Sequence, residues 1–131
     1  MKGNESVAES FLVTIVDDDA SMRNSTRRPI RSFGFRAEAF ASGREFLDSH
    51  CLTETACLIL DLRMPGTDGL ELQRLLANAN RRIPIIFVTA YASDDEQRRA
   101  TQAAAVDFLC KPVSEQARAR DKCCSVAYAR A

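Results

Sequence analysis

Five short apolar runs recur along the chain, separated by longer segments that carry helix signals. The runs cover Phe11–Val16, Phe35–Phe40, Ala56–Leu60, Ile83–Val88 and Val106–Cys110. Four are almost continuously apolar, as strands covered on both faces must be, and that favours parallel pairing with helices packed on either side. The exception, FRAEAF, alternates Arg36 and Glu38 with apolar neighbours and suits an edge strand. Five strands alternating with five helices predict a single doubly wound α/β domain. In such sheets a ligand site lies outside the carboxyl ends of the strands, near the switch in strand order.

The connecting segments start as helices should. Ser42-x-x-Glu45, Asp68-x-x-Glu71 and Ser93-x-x-Glu96 read as capping boxes or close variants, in which side-chain acceptors meet first-turn amides. Asp19 reads as the cap of the first helix and Gly34 as its terminator. Leu72, Leu75 and Leu76 give the third helix a core-facing stripe. Pro29 lies inside the first helix, on a face shared with Met22, Thr26 and Phe33. There it removes a donor and crowds the carbonyl of Ser25, so a bend felt by the core is expected. Ala104 closes the fourth helix. The last helix, about 113–127, has small residues and an interrupting Arg120, a poor apolar stripe that leaves its docking open.

At 131 residues, 46% of them hydrophobic and 27% charged, the chain fits one soluble domain. The expected layout is a tail over 1–10 and the domain over 11–131, with no output domain. No apolar run approaches the roughly 18 residues of a membrane span, and the start lacks a signal peptide's apolar stretch, so a cytoplasmic address is expected. Eighteen basic and eighteen acidic residues cancel, which argues against a dedicated nucleic-acid surface. Arg23, Arg27, Arg28 and Arg31 read as a solvated helix face. The five cysteines (Cys51, Cys57, Cys110, Cys123, Cys124) lack metal-site spacing and read as free thiols, with Cys57 and Cys110 in the core. His50 is the only histidine and reads as a surface residue, so histidine-based catalysis is not in view.

The chemistry gathers at the strand ends. The first strand opens into Asp17, Asp18 and Asp19; the third ends at Asp61; the fourth at Thr89; the fifth at Lys111 followed by Pro112. In a parallel sheet these ends share one rim. Two carboxylates about 4 Å apart repel by about 4 kcal/mol at an effective dielectric near 20. Oxygen ligands without His or Cys favour Mg2+, which takes one or two carboxylates plus a phosphate oxygen. A metal, a lysine and a hydroxyl around one carboxylate suit phosphoryl transfer to that carboxylate.

The segments IVDDD, LDLRMPGTDG, VTAYA and AVDFLCKPV resemble, in order and spacing, the signature regions of response-regulator receivers with the CheY-like fold, closest to FixJ-like receivers. The resemblance runs from about Phe11 to Val113. It implies a five-stranded parallel sheet with flavodoxin-like order 2-1-3-4-5 and a two-component switch phosphorylated by a sensor histidine kinase. It implies Asp61 as phosphoacceptor, with Mg2+ (or Mn2+) held by Asp18, Asp61, the backbone carbonyl of Arg63 and, through water, Asp17. Thr89 and Lys111 would bind the phosphoryl group, and Thr89 with Phe108 would form the switch. Arg63 and Tyr91 would tune dephosphorylation; Pro65, Gly69 and Pro112 would shape the loops. The signalling surface would comprise the fourth helix, fifth strand and fifth helix, with a homodimer through that face as one assembly. Such a domain regulates transcription through a partner or output domain, binds no DNA itself, needs no membrane, and catalyses only its own phosphorylation and dephosphorylation.

Two other readings stay open at this level. Asp17-Asp18-Asp19-Ala20-Ser21 also fits the nucleophile motif of haloacid-dehalogenase-like phosphatases, with Asp17 as nucleophile. A degenerate receiver acting as a binding module is the second.

Overall fold

Each apolar run becomes a strand of one sheet. The computed structural model describes residues 11–89, 93–103, 105–110, 122–123 and 125–126. Its elements are β1 (Leu12–Val16), α1 (Ala20–Ser32), β2 (Arg36–Phe40), α2 (Gly43–Leu47), a 3-10 turn (His50–Thr53), β3 (Thr55–Leu60), α3 (Gly69–Asn78), β4 (Ile85–Thr89), α4 (Asp94–Gln102) and β5 (Asp107–Cys110). All neighbouring strands pair in parallel, in the order β2-β1-β3-β4-β5. The expected strand order and edge strand are therefore present, with strand ends differing from the sequence reading by one or two residues.

The continuous apolarity of the central strands follows from two-sided burial. Along β3, Cys57 and Ile59 enter a core with Val13, Ile15 and Ile86, while Leu58 and Leu60 enter the opposite core with Leu72, Leu76 and Phe87. Successive side chains of a strand point to opposite faces, so a strand feeding two cores has no polar face to show. Thr14, fully buried in β1, is accommodated by a 2.7 Å hydrogen bond between its hydroxyl and that of Thr55. At the β2 edge, Arg36 and Glu38 are exposed while Ala37 is buried between them.

The caps largely follow the sequence. Ser93 and Glu96 form a complete reciprocal box on α4. Asp68 accepts from the Glu71 amide at 2.9 Å, and Asp19 accepts from the Ser21 amide at 2.9 Å. Ser42 accepts from Glu45, but the Glu45 carboxylate reaches back to the Ala41 amide, one residue before the cap. Gly34, just past α1, has φ of 104°, a conformation in which a Cβ would be strained.

Several expectations need correction. On α3, Leu72 and Leu76 are buried but Leu75 is only half-buried, and Gln73 takes an inner position. This face of α3 meets the carboxyl end of α4, where the Gln73 amide donates to the Ala100 and Ala103 carbonyls at 3.3 Å each. A leucine would leave those carbonyls without this donor. On α1 the core residues are Thr26 and Ile30; Pro29 and Met22 are half-buried, and Phe33 is 47% exposed. The helix runs unbroken past Pro29, which falls in its last turn, where fewer following hydrogen bonds depend on straight geometry. The proline therefore flanks the buried stripe without interrupting it. The second helix is short, and exposed His50 belongs to the 3-10 turn that follows it.

Cys57 is buried as expected, and so are Cys51 and Cys123. The Cys51 thiol is pushed up from its ordinary pKa by burial, reinforced by the charges of Glu38 and Glu54. Cys123 is fully buried with its Sγ 3.8 Å from that of Cys57, and Val126 packs against the same core. The described residues of the last segment thus pack on this core through Cys123 and Val126. Ala104, Arg120, Cys124 and most of 113–127 lie outside the described residues, as do residues 1–10 and the Cys110 side chain.

Replacing Pro29 with Ala should restore a donor to the last turn of α1 and gain about 1 kcal/mol or more of helix propensity. That corresponds to a rise of roughly 4 °C in thermal midpoint for a domain of this size. A midpoint at or below that of the parent protein would show that the helix accommodates the proline without strain.

Candidate functional site

Backbone pairing continues past the formal ends of the strands and sets the site. The Asp61 amide donates to the Val16 carbonyl at 2.9 Å, and the Asp17 amide to the Phe40 carbonyl at 3.1 Å. Both aspartates are thereby held as extensions of the sheet, each only 6% exposed. Asp18 is exposed beside them. One carboxylate oxygen from each of Asp17, Asp18 and Asp61 lies within 4.8 Å of the others. Asp19 is not part of this group: its side chain turns to the first-turn amides of α1.

Each such pair of charges repels by roughly 3–4 kcal/mol at an effective dielectric near 20. Backbone amides offset part of this, with the Asp19 amide 3.0 Å from Asp17 Oδ1 and the Arg63 amide 3.4 Å from Asp61 Oδ1. The Arg23 guanidinium also reaches the rim, donating to the Asp17 carbonyl at 2.8 Å. Three converging hard oxygen donors, two inside and one open to solvent, fit a divalent cation such as Mg2+.

The loop after Asp61 is anchored from below. Leu62 and Met64 are buried in the α3-side core, whereas Arg63 and Pro65 are exposed. The Gly69 amide closes the loop onto the Leu62 carbonyl at 2.9 Å. A Cβ on Gly69 would lie 2.6 Å from the Asp61 carbonyl oxygen and 3.0 Å from Leu62 Cα. The start of α3 can approach the end of β3 this closely only because residue 69 has no side chain.

Thr89 ends β4 fully buried. Pairing of Phe87 with Phe108 and of Thr89 with Cys110 puts Thr89 and Phe108 on the same face of the sheet. Phe108 is half-buried, its ring 5.4 Å from that of Phe87. Arg63 reaches Glu96, with 2.6 Å between guanidinium and carboxylate. The spacing predicts only a capping role for Glu96 and a solvated one for Arg23; that Glu96 also meets Arg63, and that Arg23 meets the Asp17 carbonyl, depends on loop geometry that spacing does not encode. Of the other arginines, Arg27 bonds Asn24 and Arg31 the Ala37 carbonyl. Lys111, Pro112 and Tyr91 lie outside the described residues.

A family profile described as "Response regulator receiver domain" matches residues 13–120. The chain belongs to the response-regulator receiver family. Nodulation protein W of Bradyrhizobium diazoefficiens is 43% identical over 114 residues, which are 87% of this chain and 50% of that protein. Transcriptional regulatory protein FixJ of the same organism is 34% identical over 103 residues, 79% of this chain and 50% of that one. The solved structure of response regulator StyR superposes with a TM-score of 0.81 at 39% identity, covering 92% of this chain and 60% of that one. The chain spans about half the length of the curated relatives it matches. It is a receiver domain of two-component signalling, and neither the phosphatase nor the binding-module reading is favoured by these matches. The phosphatase reading also assigns no part to Asp61, which stands inside the carboxylate cluster of this receiver.

Gly69→Ala should force Asp61 and the start of α3 apart and destabilise the receiver by about 1–3 kcal/mol, the usual range for overpacking. Urea denaturation measures this, and an unchanged midpoint would contradict the close approach.

Proposed function

We propose that this receiver accepts a phosphoryl group on Asp61 from the phosphohistidine of a sensor histidine kinase and relays it as a change in its signalling surface. The observation that carries the reading is the meeting of buried Asp61 with Asp17 and Asp18 at the carboxyl ends of adjacent strands.

An Asp61 carboxylate oxygen attacks phosphorus, the phosphorus–nitrogen bond breaks, and the imidazole leaves with the electron pair. Asp18, Asp61 and the Arg63 carbonyl would hold Mg2+ (or Mn2+) directly, with Asp17 acting through water. When bound, the cation neutralises charge on the transferring group. Thr89 donates its hydroxyl to one phosphoryl oxygen, and Lys111 pairs with another. Pro65, Gly69 and Pro112 shape the loops that hold these groups. Arg63 and Tyr91 restrict the path of water to the phosphorus and so lengthen the life of the phosphoryl group.

Movement of Thr89 toward the phosphoryl group opens space next to Phe108 on the same sheet face. Repacking of Phe108 then alters the surface of α4, β5 and the last helix, a local charge event with a wider readout. That surface serves a partner, an output domain or a second copy in transcription regulation, in line with the similarity to the transcriptional regulatory protein FixJ. Among the described residues no helix is long and apolar enough to cross a membrane. The cytoplasm is the address proposed from membership of the two-component receiver family. The receiver is a switch, catalysing only its own phosphorylation and dephosphorylation.

Incubation with Mg2+ and acetyl phosphate, followed by intact-mass measurement, tests this. The parent protein should gain one phosphoryl group and Asp61→Asn none, because the amide removes the nucleophilic charge at nearly constant volume. Phosphate on Asp61→Asn, together with its loss in Asp17→Asn, would overturn the assignment.

A further inference from the structure

Arg63 starts two residues after Asp61, yet its side chain ends on another element. Its Nη2 lies 2.6 Å from Glu96 Oε1, in the first turn of α4. The same oxygen accepts from the Ser93 amide at 2.9 Å and the Ser93 hydroxyl at 3.2 Å. The Ser93 hydroxyl in turn accepts from the Glu96 amide at 3.1 Å. A capping-box glutamate ordinarily serves its own helix. Here it also anchors a guanidinium that spans from the loop after β3 to the first turn of α4, the helix that follows β4. The ends of those two strands carry Asp61 and Thr89.

The pair differs from an ordinary surface ion pair, which loses the freedom of two long side chains and so contributes little. The Glu96 side chain is 18% exposed and already fixed by the cap, so ordering falls mainly on Arg63, which is 56% exposed. Without Glu96, the Arg63 side chain would sample rotamers over open solvent.

We propose that Glu96 is a positioning residue that holds the Arg63 guanidinium beside the mouth of the Asp61 site and thereby slows hydrolysis of the aspartyl phosphate. The proposal rests on Asp61 being the phosphoacceptor. In hydrolysis a water oxygen attacks phosphorus in line with the bond to Asp61. That bond breaks, the electron pair returns to the carboxylate, the water protons pass to phosphate and solvent, and inorganic phosphate leaves. An arm fixed between the two loops reduces the directions from which water reaches that line, whereas a freely moving arm does not.

The test follows loss of the phosphoryl mass after loading with acetyl phosphate and Mg2+ and removing the donor. The full chain is compared with Glu96→Gln, Arg63→Ala and the double variant. Glu96→Gln keeps an oxygen for the Ser93 donors and loses the charge that holds Arg63. Its decay should be roughly 3-fold faster, the scale of a single ion pair. In the Arg63→Ala background, Glu96→Gln should change nothing, because its effect runs through Arg63. Parent-like decay in Glu96→Gln would overturn the proposal. So would an equal acceleration by Glu96→Gln with and without Arg63, which would mark an effect of the helix cap alone. Arg63 is exposed and its replacement leaves the fold intact, so Arg63→Ala with parent-like decay would independently overturn it. If the parent protein takes no phosphoryl group at all, the Asp61 reading fails first and this proposal with it.

Discussion

Three carboxylates meeting at one rim repel one another, and the rest of the structure exists in tension with that repulsion. The sheet forces the meeting: amides of Asp61 and Asp17 remain in the hydrogen-bond ladder, bonded to carbonyls of the neighbouring strands. Two of the three side chains are then almost wholly withdrawn from water. Such a cluster is tolerable only where a large apolar core supplies the compensating free energy, and here two cores do so, one on each side of the sheet. The site is the place where fold stability is given up for charge density.

The surrounding loops are shaped by the same constraint. Leu62 and Met64 pin the loop after β3 into the core, and Gly69 allows α3 to begin against the backbone of Asp61 itself. Arg63, between those anchors, is left facing solvent and finds Glu96. The loop after β3 and the start of α4 are in this way tied together by one ion pair.

Much of this was legible in the sequence, for identifiable reasons. Period and length distinguish buried parallel strands from amphipathic helices, and caps mark where helices begin, so strand count, edge strand and rim followed from local signals. Asp17, Asp18, Asp61 and Thr89 lie at strand ends, where topology alone fixes their neighbourhood. What escaped depends on how helices rotate against their neighbours. Leu75 and Gln73 exchange roles because α4 presents carbonyls there, and Phe33 turns outward because α1 packs through Thr26 and Ile30. Cys123 packs a buried thiol on the core, which a search for an apolar stripe cannot see. Arg23 reaches the Asp17 carbonyl and Arg63 reaches Glu96 through long side chains whose endpoints no spacing rule predicts.

The rim carboxylates are proposed to hold a divalent cation that relieves their mutual repulsion. The most direct measurement is the thermal midpoint as Mg2+ is titrated into the metal-free protein, for the parent chain and for Asp18→Asn. A ligand bound only by the folded state raises stability by mass action. The midpoint should climb with Mg2+ in the parent protein at constant ionic strength, and climb much less in Asp18→Asn. A flat titration of the parent protein, or an identical climb in both, would contradict it.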